Sequence, residues 1–162
     1  MKKFIALFAL MVITLVSYAQ VYKMYNTRNY HNQLRLNTMT GEVQQIQDDG
    51  QSWIVCSARE ISGDKESRFR LYETQNMWTF ILLDSYNGRL WQVQYSAQDL
   101  DNLFCIPINK YELVSDNENC IFSIQPLTSM YQYYLINDRT GDMWKFQWST
   151  KGDDYRWIEK FK

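Results

Sequence analysis

The sequence predicts an all-β protein made of three copies of one unit of about four strands, and three observations carry that prediction. When the chain is laid over itself, Gly88 meets Gly141 together with Met77 over Met130, Trp78 over Tyr131, Leu82 over Leu135, Trp91 over Trp144 and Gln94 over Gln147. In the other direction Gly88 meets Gly41, with Tyr72 over Tyr25, Thr74 over Thr27, Asn76 over Asn29 and Gln94 over Gln47. A period of roughly 50 residues marks a repeat architecture. Second, each copy carries an Asx-to-Gly bend between two runs of strand-forming residues, at Asn37 with Gly41, Asp84 with Gly88 and Asn137 with Gly141. Asn or Asp at the entrance bonds backbone N–H groups further on, and Gly at the exit takes positive φ without a Cβ clash. Third, aromatics make up 16% of the chain and there are only two prolines, which suits sheet and argues against disorder.

The elements follow in order. Lys2 and Lys3 precede an apolar run from Phe4 to Val16, and Ser17-Tyr18-Ala19 supplies small residues at a cleavage site before Gln20. The run is shorter than the roughly 20 residues that span a bilayer. Residues 1–19 are therefore expected to be a cleaved signal peptide. A soluble periplasmic or extracellular protein, without stable membrane insertion after cleavage, is expected to follow. Residues 20–162 form a single all-β domain with repeats at about 22–56, 67–107 and 120–160. Twelve short strands in three sets of four suggest a β-trefoil-like barrel, with a three-bladed propeller or prism as the alternative. Helix is confined to one possible turn, Ser57 to Ile61. Pro107 and Pro126 are placed in outer strands, where a missing N–H is tolerated.

Alternation assigns two faces to each hairpin. One reads Tyr30, Leu34, Leu36, then Met77, Ile81, Leu83, then Met130, Tyr134, Ile136, and is apolar in every copy. That face is the expected core. The other reads His31, Gln33, Arg35, then Trp78, Phe80, Leu82, then Tyr131, Tyr133, Leu135. Repeat 1 is polar where its sisters are aromatic, so its face is either a solvated cap or a surface that meets another molecule.

The hairpin Leu82-Leu83-Asp84-Ser85-Tyr86-Asn87-Gly88-Arg89-Leu90-Trp91-Gln92 resembles a Leu-Leu-Asp-Thr-x-Thr-Gly-x-x-Trp-Gln repeat of small exported bacterial proteins, and Leu135 to Trp144 matches nearly as well. It is also distantly similar to the Asp-x-x-Thr-Gly-x-x-x-Trp signature of quinoprotein-type propeller blades, with the Trp one residue sooner. The resemblance implies a β-repeat and no activity.

The chemistry on offer is thin. The net charge of −1 and the lack of a basic stripe exclude nucleic acid as an expected partner. His31, the sole histidine, is expected to be a solvated strand residue, which leaves no base for a nucleophilic triad. Asp49, Asp101 and Asp154 recur in loops, but no Asp-x-Asp-x-Asp-Gly calcium loop is present. No metal or cofactor is expected. Of the three cysteines, Cys105 and Cys120 are the expected pair, with buried free thiols as the alternative. Trp78, Phe80, Tyr131 and Tyr133, beside Gln94 and Gln147, form the candidate binding face, since aromatic rings flanked by amides stack on sugars or anchor protein interfaces. The expected function is therefore an exported, non-catalytic domain that binds a protein or glycan. The alternatives are a purely structural envelope-associated protein and, third, a hydrolase using loop carboxylates.

Overall fold

A computed structural model describes residues 20–116 and 121–161. Among the described residues, twelve strands form three separate antiparallel four-stranded meanders. Sheet 1 holds β1 (Tyr22–Asn26), β2 (Asn32–Asn37), β3 (Val43–Gln47) and β4 (Ser52–Cys56). Sheet 2 holds β5 (Phe69–Glu73), β6 (Thr79–Asp84), β7 (Leu90–Gln94) and β8 (Phe104–Pro107). Sheet 3 holds β9 (Phe122–Pro126), β10 (Gln132–Asn137), β11 (Met143–Gln147) and β12 (Trp157–Lys160). Each sheet is thus one repeat. The ladders stay inside their own sheets, so no closed barrel forms among the described strands. Pro107 and Pro126 both end edge strands, as expected.

The three bends share one construction. Asn37 Oδ1 accepts from Met39 N–H at 3.0 Å, Asp84 Oδ1 from Tyr86 N–H at 3.1 Å and Asn137 Oδ1 from Arg139 N–H at 3.1 Å. Gly41, Gly88 and Gly141 close the loops on the carbonyls of Asn37, Asp84 and Asn137, at φ of 78°, 77° and 77°. L side chains rarely adopt that conformation.

The three sheets stack in series, giving two cores. One lies between sheets 1 and 2, where Leu34, Leu36 and Val43 meet Phe69, Phe80, Leu82 and Trp91. The other lies between sheets 2 and 3, where Ile81, Leu83 and Leu90 meet Phe122, Tyr133, Leu135 and Trp144. Both faces of β6 are therefore buried along its whole length, as its near-continuous apolar run requires. This corrects the single core face expected from alternation. In sheet 3 the buried face is Tyr133 and Leu135, whereas Tyr134 and Ile136 stay partly exposed, because stacking in series makes each sheet offer opposite faces to its two neighbours. Tyr30, Met77 and Met130 also leave the core. They sit in turns before the strands, and Tyr30 is 84% exposed.

The two linkers wedge the stack together. Ser57 caps a single helical turn, α1 (Ala58–Ile61), whose Ile61 packs onto Gly41. In the second linker Leu113 packs onto Gly88, and Asn109 Oδ1 accepts from Leu90 N–H at 2.7 Å. Between them Arg68, 5% exposed, donates to Asp84 at 2.9 and 2.7 Å and to Asp116 at 2.8 and 3.1 Å. Burial pushes the Asp84 carboxyl up, and Arg68 offsets part of that effect.

A disulfide joins Cys56 of β4 to Cys105 of β8, with Cα atoms 5.2 Å apart. This corrects the Cys105–Cys120 pairing. The outer strands of sheets 1 and 2 lie side by side once the sheets stack, and that proximity across 49 residues is invisible in local spacing. Cys120 lies outside the described residues.

Candidate functional site

At the end of the sheets opposite the Asx-Gly bends, a Thr-x-Asn turn presents one residue just before the second strand. In repeat 2, Thr74 Oγ1 donates to the carbonyls of Asn76 and Thr79 at 3.1 and 2.8 Å, and Asn76 Oδ1 accepts from Trp78 N–H at 2.9 Å. In repeat 1 Thr27 and Asn29 do the same for His31. The presented residue is thus Trp78 or His31; in repeat 3, where Leu127 and Ser129 replace the Thr and Asn, Ser129 Oγ accepts from Tyr131 N–H at 3.4 Å instead. Trp78 stands in a cleft.

That cleft has a volume of about 580 Å³, within the ~300–1,000 Å³ usual for small-ligand sites. Its wall is Trp78, partly exposed and tilted 5.3 Å from the ring of Tyr95. Gln94, Ser96, Asp99 and Asn102 come from the end of β7 and the loop after it, and Asn29 comes from sheet 1. The loop is held from both sides. Gln45 Nε2 donates to the Ser96 carbonyl at 2.5 Å while its Oε1 accepts from Ser96 N–H at 3.1 Å, and Gln47 Nε2 reaches the Ala97 carbonyl at 3.4 Å. Asp99 accepts from Asp101 N–H at 3.0 Å and from Asn102 Nδ2 at 2.9 Å, capping a 3₁₀ turn. Tyr95 is 1% exposed, and its hydroxyl has no hydrogen-bond partner among the described residues. A buried polar atom left so costs ~1–3 kcal/mol.

The candidate face expected from sequence divides. Trp78 and Gln94 line the cleft. Phe80 and Tyr133, each 3% exposed, are corrected to core residues, since each fills the space between two stacked sheets. Tyr131 is exposed and packs on Trp148, and Gln147 Nε2 donates to the Tyr155 carbonyl at 3.0 Å; neither lines this cleft. Asn29, Tyr95 and Asn102 were missed. Their only signal was position, at the turn before and the acidic loop after each hairpin.

Other chemistry is spoken for. His31 Nδ1 lies 2.6 Å from Asp48 Oδ2 on open surface, and this hydrogen bond holds the Asp48 carboxyl below its ordinary value. Asp49 binds the backbone and side-chain N–H groups of Gln51. Among the described residues no three His, Cys, Asp or Glu side chains gather where a metal ion could be held. No described helix is long and apolar enough to cross a membrane. Compared with family models, curated proteins and solved structures, the chain matches none.

Proposed function

We propose that the protein is an exported, non-catalytic binding module, that it takes a carbohydrate in the cleft beside Trp78, and that its three sheets are successive blades of a propeller-like array. The supporting observation is the partly exposed Trp78 ring in a roomy cleft that it shares with the amides Asn29, Gln94, Gln98 and Asn102, with Ser96 and Asp99, and with Tyr95 and Ala97. A sugar ring has apolar C–H faces to stack on an indole and equatorial hydroxyls for Gln94, Asn29 and Asn102. Asp99 spends its oxygens on its own loop, which favours a fixed binding wall over a carboxylate kept ready for proton transfer. The blade reading rests on the face-to-face stacking of four-stranded meanders that share no ladder.

The test is a glycan array followed by calorimetry on the best ligand, with wild type and Trp78→Ala. Truncating the stacking ring should weaken binding about tenfold or more, equivalent to at least ~1.4 kcal/mol, in a variant that still melts cooperatively, though at a lower temperature because Trp78 also packs against the core between sheets 1 and 2. An empty array, or unchanged affinity in the folded variant, would end the carbohydrate reading.

A further inference from the structure

We infer that the outer face of sheet 3 docks head-to-tail on the outer face of sheet 1 of a second copy, continuing the stack that sheets 1, 2 and 3 begin. This inference is independent of the cleft. It rests on a contact made twice within the chain by the same positions. Gln45 on the face of sheet 1 grips Ser96 of sheet 2; Gln92, its counterpart in the next repeat, accepts from Ser149 N–H of sheet 3 at 3.2 Å. The Thr38 carbonyl accepts from Phe69 N–H at 2.9 Å, and the Ser85 carbonyl from Phe122 N–H at 2.8 Å. A Cβ on Gly41 would meet Phe69, and one on Gly88 would meet Phe122.

The third copy of each donor position has no described partner sheet. Around Gly141 no described atom lies within 4 Å of a built Cβ. Tyr134, Ile136 and Met143 hold the places of Ile81, Leu83 and Leu90, which are fully buried in sheet 2, yet all three remain partly exposed. Phe161, 49% exposed, packs edge-on to Tyr134.

The first copy of the receiving face is open as well, with polar Gln33, Arg35 and Gln44 at its centre where sheet 2 has Phe80, Leu82 and Trp91, and apolar residues on its outer strands. Tyr22 and Met24 hold the places of Phe69 and Leu71, and of Phe122 and Ile124, all of which are buried. In sheet 1 they are 52% and 47% exposed, on the same face as the exposed Ile54. The polar pair also matches. Lys145 stands where Gln45 and Gln92 stand, and Asp49 stands where Ser96 and Ser149 stand. The contact that is Gln-to-Ser inside the chain becomes Lys-to-Asp between chains. Opposite charges there favour a second copy over an unrelated apolar partner. A heterologous contact of this kind either closes a ring or runs on as a filament.

Sedimentation equilibrium on residues 20–162 tests this. Wild type should show a mass at least double that of one chain. Met24→Glu disables only the receiving face and Ile136→Glu only the donor face, so each alone should sediment as a monomer, and mixing the two should restore a two-chain species. Lys145→Asp should weaken association and the added Asp49→Lys should restore it, a rescue that misfolding cannot imitate. A monomeric wild type at ~100 μM, the weak end of specific association, would overturn the proposal. So would a Met24→Glu variant that still dimerises alone, because that result points to sheet 3 meeting sheet 3.

Discussion

Sheets 2 and 3 descend from one pattern and almost share a hairpin, yet the same position is sealed in one and open in the other. Leu83 is fully buried, while Ile136 at the equivalent point remains partly exposed. Gly88 is hemmed in by Leu113 and Phe122, while Gly141 faces open space at the same φ. Burial therefore belongs to a sheet's place in the stack, not to its strands.

Leu83→Ala should cost ~2–5 kcal/mol in urea unfolding, as large-to-small changes in closed cores do, and Ile136→Ala should cost well under half as much in monomer. Equal costs would mean that the outer face of sheet 3 is already covered. Sheets 1 and 2 are stapled by Cys56–Cys105, whereas no disulfide joins sheets 2 and 3 among the described residues. Cys56→Ser with Cys105→Ser should therefore remove ~2–4 kcal/mol and loosen sheet 1 first, seen as faster amide exchange in β1 to β4 than in β9 to β12. Gly88→Ala combines a left-handed backbone penalty of ~1–2 kcal/mol with ~1–3 kcal/mol of overpacking. Gly141→Ala should show only the backbone part. Melting temperatures compare them, and identical shifts would deny the wedge role of Leu113. Gln92→Ala should cost about 1–2 kcal/mol by leaving Ser149 N–H, in a 6% exposed residue, without its acceptor. Lys145→Ala in monomeric protein should cost close to nothing, read from the same denaturation curves.

Much of the fold was legible because its signals are local. The Asx-Gly bends follow from side-chain-to-backbone bonds over two or three residues, and the four-strand unit from its recurrence. The one possible helical turn, Ser57 to Ile61, also forms, with Ser57 as its cap. The site was legible only in part. Trp78 and Gln94 stood out as an aromatic and an amide at repeated positions, but so did Phe80 and Tyr133, and alternation cannot tell an aromatic that faces solvent from one that faces another sheet. Arg68 passed unnoticed because its partners Asp84 and Asp116 lie 16 and 48 residues away.

By itself, then, the chain's order of residues determined which segments become strands, where they reverse, and that three like units follow one another, since each of these depends on torsional preference and hydrogen bonds between near neighbours. Tertiary structure alone decided which face of each sheet is sealed, which cysteines join, and where a cleft opens. Those outcomes depend on what is pressed against a surface, and a strand's pattern carries no record of its neighbour across the stack.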